Sequence, residues 1–166
     1  MSWVALEPFW KYSAKIPPTF FSAIDTNHPA FIQFDGIDTV GEVHLNGVLL
    51  GQTRNAFTSH TYLVSDVASL IADTSLLEIT LYSAIQHVAE AFASYPYSVP
   101  ETENYNVWAE PSHRNFLRKA GNDWGWDWGP AYVPSGLTGK VRVFQSSTGR
   151  VQGVTVNQNL VSDHSS

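Results

Sequence analysis

Three tryptophans, Trp124, Trp126 and Trp128, alternate with small and acidic residues in the run Trp124-Gly125-Trp126-Asp127-Trp128-Gly129-Pro130. In an extended strand this spacing would set all three rings on one face. Two readings of such a row are open. The rings can be core, as most aromatics are, or the indole faces can stack on the apolar C–H faces of a pyranose while a neighbouring carboxylate takes its hydroxyls. Asp127 bears on the choice, because a carboxylate placed among indoles without partners pays a large desolvation penalty. Its partners are either backbone N–H groups at the Gly129-Pro130 turn or the hydroxyls of a ligand. Gly125 and Gly129 are suited to backbone angles that re-aim the chain on either side of the row.

Other chemistry is poorly provided for. Glu101, Glu103, Glu110, Asp123 and Asp127 cluster in sequence, but acidic residues in a long loop read as a solvated face and none is assigned a catalytic role. His44, His60, His87 and His113 are scattered without a metal-ligand spacing. There is no nucleophile elbow, phosphate loop or dinucleotide fingerprint, so neither a metal nor a cofactor is expected. With a net charge of −6 and no basic run longer than Arg118-Lys119, a nucleic-acid partner is not expected. No apolar run approaches the ~20 residues that cross a bilayer, so no membrane partner is expected either. The chain has no cysteine, which fits a reducing compartment. Met1 to Pro8 lacks a basic and apolar leader and no Asn-x-Ser/Thr acceptor occurs, so residence in the cytoplasm is the expectation.

The elements that position the tryptophan row are mostly strands. At 166 residues, 43% apolar and 13% aromatic, the chain has material for one buried domain with a fragment of a neighbour. From Phe31 to Leu81 the pattern has period two, in runs such as Phe31-Ile32-Gln33-Phe34, Glu42-Val43-His44-Leu45 and Glu78-Ile79-Thr80-Leu81. Asn46-Gly47 tolerates the positive φ angles of a type I′ turn and predicts a tight hairpin. Ser83 to Ser94 places Ile85, Val88, Ala89 and Phe92 at helical spacing and predicts one short helix. Tyr95 to Ser112 reads as a long loop. Asn115-Phe116-Leu117-Arg118, Gly139 to Phe144 and Val154-Thr155-Val156 read as further strands. Short strands punctuated by turns predict an all-β sandwich.

The segment from Arg118-Lys119-Ala120 through Trp124 to Pro130 closely resembles the Arg-Lys-Ala…Phe-Gly-Trp-Asp-Trp-Gly-Pro stretch of β-mannosidases in glycoside hydrolase family two. Phe34-Asp35-Gly36-Ile37-Asp38-Thr39 and Val43 to Gly51 resemble the same family's Gly-Leu-Asp-Thr…Leu-Asn-Gly…Gly pattern, and Asn55-Ala56-Phe57 and the Trp10-Tyr12 neighbourhood fit in order and spacing. The resemblance runs from about Trp3 to Phe144. It implies a jelly-roll β-sandwich of the galactose-binding-like type over residues 1–148, expected to lack its first strand. Residues 149–166 would then be the incomplete start of an immunoglobulin-like domain.

It also implies roles. Trp126 would line the subsite for a terminal β-mannoside and Asp127 would accept hydrogen bonds from the sugar hydroxyls. Trp124, which replaces the family's Phe, and Gly125, Trp128, Gly129 and Pro130 would shape the motif. Family members hydrolyse with retention, using two glutamates about 5 Å apart in a barrel of ~250 residues, more than this chain contains. Alone it is expected to be inactive, with the parent's C-terminal domains as its missing partners. A free-standing mannoside-binding module and a purely structural or interaction sandwich are the alternatives.

Overall fold

The structure, a computed structural model, describes residues 5–100, 113–125, 129–151 and 153–159. Seven strands form its frame: β1 (Phe9–Ile16), β2 (Ala30–Asp38), β3 (Gly41–Leu45), β4 (Val48–Thr53), β5 (His60–Val64), β6 (Ser75–Tyr82) and β7 (Gly136–Gln145). Two helices, α1 (Val67–Ala72) and α2 (Ala84–Ser94), flank β6. Single 3-10 turns occupy Pro18–Phe21, Arg114–Phe116 and Gly121–Trp124.

The strands pair antiparallel in two sheets, one ordered β1-β6-β3-β4 and the other β5-β2-β7. Period-two alternation decides which side faces in. Ala30, Ile32, Phe34 and Ile37 of β2, Val43 and Leu45 of β3, and Leu77, Ile79 and Leu81 of β6 are all buried and pack together between the sheets. Phe21, Val64, Val67 and Leu70 close the ends of this core. Where β4 meets β5, Gly51 leaves room for Tyr62, since a Cβ there would fall 2.5 Å from the ring. The Tyr62 hydroxyl donates to the Gln52 carbonyl at 3.2 Å. The expected all-β sandwich of the galactose-binding-like type is the fold observed.

The Asn46-Gly47 hairpin forms as predicted. Leu45 pairs with Val48 across a two-residue loop, and both loop residues have positive φ, 51° and 78°, the signature of a type I′ turn. Asn46 does a second job. Its Oδ1 accepts from Leu76 N at 2.8 Å and its Nδ2 donates to Ser75 Oγ at 3.3 Å, tying the turn to the start of β6.

Helix α2 starts where the sequence predicts, with the Ser83 hydroxyl capping Gln86 N. Its buried face, however, is centred on Ala84 and Val88, while Ala89 and Phe92 of the expected stripe are exposed. Packing against a neighbour, rather than the apolar stripe alone, has set the rotation. Helix α1 was not signalled, because its six residues give too little length for a helical period to stand out.

Two predicted strands are corrected. Around Asn115-Phe116-Leu117-Arg118 the chain makes a 3-10 turn and then a single bridge from Arg118 to Asn55. Residues 153–159 form no element, and Val154 and Val156 are about as exposed as a side chain can be, at 81% and 77%. Both runs have strand-like side chains, but a strand also needs a neighbour for its backbone groups. Residues 101–112 of the predicted loop lie outside the described residues; 95–100 are irregular, as expected.

Two glycines separate turn strain from packing. A Cβ at Gly47 meets nothing within 4 Å, so Gly47→Ala carries only the left-handed backbone penalty, about 1–2 kcal/mol. A Cβ at Gly41 would lie 2.3 Å from the Thr80 carbonyl oxygen and 2.8 Å from Leu81 Cδ2, forcing β3 off β6. Urea denaturation is expected to show Gly41→Ala as the more destabilising change, and equal losses at the two sites would contradict this reading.

Candidate functional site

Beside the sandwich core lies a second, smaller one. It is made by Val40 from the β2–β3 turn, Ala84 and Val88 of α2, and Leu117, Trp124 and Val133, with Ala5, Ile85, Phe116 and Ala131 packed around them. Of its six buried members, Trp124 opens the tryptophan run and Leu117 and Val133 flank it in sequence. This core holds the run's two ends against α2 and the end of β2.

At its edge stands Lys119, whose side chain is fully buried. The ammonium group donates to Asp38 Oδ2 at 2.5 Å and to the Pro134 carbonyl at 2.6 Å, and it pairs with Asp123 Oδ2 at 2.9 Å. All three donors of a lysine are thereby used. Asp38 ends β2, Asp123 lies in the 3-10 turn before the tryptophans, and Pro134 leads into β7. One cation therefore ties the end of β2, 81 residues away in sequence, to the turn before the tryptophans and to the approach to β7.

The base of the loop that carries the run is closed by a second contact. The Asp123 carbonyl accepts from Val133 N at 2.9 Å and from Tyr132 N at 3.2 Å. Val133 is a buried β-branched residue with φ of 40°, a conformation costing of order 1–3 kcal/mol. It is held there by its place in the second core and by the hydrogen bond to Asp123. Trp124 is 2% exposed, and its Nε1 is a buried donor with no partner among the described residues. Backbone strain and an orphaned polar atom, side by side, are features that gather at functional sites.

A third brace comes from the loop between β4 and β5. Ala56 N donates to the Arg118 carbonyl at 2.9 Å, and the Arg118 guanidinium lies over the Phe57 ring at 5.5 Å. Asn55 Oδ1 accepts from Phe57 N at 2.9 Å, fixing the turn. His60 Nε2 lies 2.9 Å from the Asn55 carbonyl and 3.0 Å from Thr53 Oγ1. Thr53 spends its hydroxyl proton on the Thr39 carbonyl, so both neighbours of Nε2 are acceptors and the network assigns the proton to that nitrogen. The segments containing Asp38-Thr39, Asn55-Ala56-Phe57 and Arg118-Lys119-Ala120 thus converge on one corner of the domain.

The structure brings Trp124 and Gly125 to that corner. Trp124 closes a 3-10 turn instead of lying in a strand, so it does not share a strand face with the later tryptophans. Gly125 has φ of 81°, which meets the expectation that it re-aims the chain. Gly129 and Pro130 follow on the far side, and a Cβ at Gly129 would meet nothing within 4 Å. Trp126, Asp127 and Trp128, between these two anchored ends, lie outside the described residues. No group of three or more His, Cys, Asp or Glu able to hold a metal ion occurs among the described residues, and none of their helices is long and apolar enough to cross a membrane. Sequence reasoning missed Lys119 and Asp123 as a pair. Their i, i+4 spacing was legible, but only the tertiary fold removes them from water.

Comparison with known proteins gives the family. The family model for the glycosyl hydrolase 2 galactose-binding domain-like family matches residues 1–139. The chain belongs to that family. It is 34% identical over 148 residues to a protein of Mus musculus named beta-mannosidase, covering 85% of this chain and 16% of the mouse protein. It is 34% identical over 106 residues to beta-mannosidase A of Aspergillus aculeatus, covering 64% of this chain and 11% of that protein. The crystal structure of a beta-D-mannosidase from Dictyoglomus thermophilum superposes with a TM-score of 0.68 at 30% identity, over 86% of this chain and 16% of the other. The match thus spans 11–16% of the length of these relatives.

Two outcomes test the bracing. Lys119→Met leaves two carboxylates without their buried cation and is expected to cost about 3–5 kcal/mol in chemical denaturation. Adding Asp38→Asn and Asp123→Asn to that variant should recover part of the loss; no recovery would mean that the ammonium group is not the reason. His87 on α2 is held below the ordinary histidine pKa, first by burial and then by the positive charge of Arg54, with Glu90 opposing. The unfolded chain then takes up the proton more readily than the folded one, so stability falls as the pH drops through and below about 6.5. His87→Gln is expected to flatten the stability profile in that window, as read by thermal melts.

Proposed function

We propose that this domain forms one wall of the terminal-mannose subsite of a β-mannosidase, with Trp126 lining the subsite and Asp127 accepting hydrogen bonds from mannose hydroxyls. The observation that carries the reading is the Gly125-Trp126-Asp127-Trp128-Gly129-Pro130 run held at both ends by buried structure. Lys119 and Trp124 anchor one end, and Val133, through the Asp123 carbonyl, anchors the other. The mannosidase names of the relatives supply the substrate class. Recognition of a neutral sugar by a few aromatic and polar groups fits the composition of the run.

In this reading Trp124, Gly125, Trp128, Gly129 and Pro130 shape the loop. The two catalytic glutamates of a retaining mechanism belong to the part of the parent enzyme outside this match. The cysteine-free composition supports the cytoplasm as the working compartment. Residues 149–166 are proposed as the approach to the next domain of the parent.

Replacing the matching domain of the Dictyoglomus thermophilum enzyme by this chain tests the proposal. The chimera is expected to hydrolyse a nitrophenyl β-mannoside, and Asp127→Ala within it should lower kcat/KM roughly 10- to 150-fold, the worth of hydrogen bonds to a charged group. The isolated chain should show neither hydrolysis nor saturable binding of mannose by calorimetry. Full activity of the Asp127→Ala chimera would remove Asp127 from the subsite. Saturable binding by the isolated chain, lost in Asp127→Ala, would make it a free-standing module instead.

A further inference from the structure

Asn46-Gly47 is the one Asn-Gly pair in the sequence, and that pair carries a chemistry of its own. A glycine nitrogen, with no side chain beside it, can approach the side-chain amide carbon of the asparagine before it. It bonds to that carbon, and ammonia leaves with the side-chain nitrogen and the proton given up by the glycine N–H. A five-membered succinimide remains. Water, the only co-reactant, then opens the ring at either carbonyl, giving aspartate or, with the main chain rerouted through the side-chain carbon, isoaspartate.

On one side the surroundings of the pair leave this route open. Both residues are exposed, and a Cβ at Gly47 would meet nothing within 4 Å, so there is space beside the turn for water and for the rearranged backbone.

On the other side the route is closed. Ring formation needs the Asn46 amide turned onto its own chain, toward Gly47 N. That amide instead reaches across to β6, where Oδ1 accepts from Leu76 N at 2.8 Å and Nδ2 donates to Ser75 Oγ at 3.3 Å. Asn46 N donates to the Leu76 carbonyl at 2.8 Å as well, so Leu76 is bonded twice to one residue, in the manner of a paired strand position. Ser75 is fully buried and cannot follow the amide outward. The backbone before the pair is fixed too, since Leu45 is paired with Val48 on one side and Leu77 on the other. The amide carbon reaches Gly47 N only after the turn has parted from the start of β6.

We propose that Asn46-Gly47 is a latent site of spontaneous deamidation, guarded by the contact of its amide with Ser75 and Leu76, so that modification records each opening of the β3–β4 turn from β6. The products act back on the fold. Aspartate at this position keeps an acceptor for Leu76 N but has no donor for Ser75 Oγ. Isoaspartate adds a backbone atom to a two-residue loop and so removes the register of Leu45 with Val48. Either product adds a negative charge to a chain already at −6.

The full chain, held at neutral pH in buffer and in concentrated urea, tests this by mass-spectrometric peptide mapping of the amide-to-acid change at Asn46. Conversion should be on the order of 100-fold slower in buffer, three hydrogen bonds being worth ~5-fold apiece. Ser75→Ala, checked for folding by a thermal melt, should raise the rate in buffer about 5-fold and leave the rate in urea unchanged. In the unaltered chain, hydrogen exchange at Leu76 N–H and deamidation at Asn46 should rise in parallel as urea is added below the unfolding transition, because both wait for the same contact to open. Equal rates in buffer and urea, a folded Ser75→Ala chain that deamidates no faster, or exchange and deamidation that respond differently to urea would each overturn the proposal.

Discussion

A lysine ammonium removed from water must have every donor occupied, and the corner of this domain opposite the sandwich core is organised around that requirement. Lys119 has no exposed side-chain surface and meets it with one carboxylate from the end of β2, one from the turn before the tryptophans and one carbonyl from the approach to β7. None of the three can move away without leaving the cation unpaired in a low-dielectric setting, or without exposing two like charges to each other. The triad therefore fixes relative position more than it adds net stability. Its geometry is specified to a fraction of an ångström, which apolar packing in the small core next to it could not do alone.

That division of labour runs through the molecule. The inter-sheet core gives a rigid platform by area burial, which is non-directional and tolerant of shape. The second core and its ionic hub hold together the two chain segments that lead into and out of the tryptophan run. Val133 keeps a positive φ and Trp124 keeps a buried donor without a partner among the described residues, and both are tolerated because the surroundings over-determine them. Such sites persist where a loop has to be presented in one shape. The tryptophan run is framed by these two residues, and the brace from Asn55-Ala56-Phe57 against Arg118 completes the frame from the β4–β5 side.

The open flank of the sandwich is the counterpart of this order. Sheets of unequal width leave one strand without a facing neighbour, and the inward side chains of β1 and β7 then meet solvent instead of a core.

Local pattern was enough for part of this. Period-two alternation around Phe31 to Phe34 and Glu78 to Leu81, the Asn46-Gly47 turn and the short helix after Ser83 were legible because each depends on residues within one element. So was the family, since the Arg118 to Pro130 run carries residue types at fixed spacing. The rotation of α2 was decided by packing, and the absence of strands at 115–118 and 153–159 by the lack of a neighbouring backbone, neither of which is written in the segment itself. The sequence by itself determined the strand faces, the turn and the family. Only the tertiary structure decided that Lys119 would lose its water and that Asp38, Asp123 and Pro134 would replace it, because desolvation depends on segments that meet far from one another along the chain.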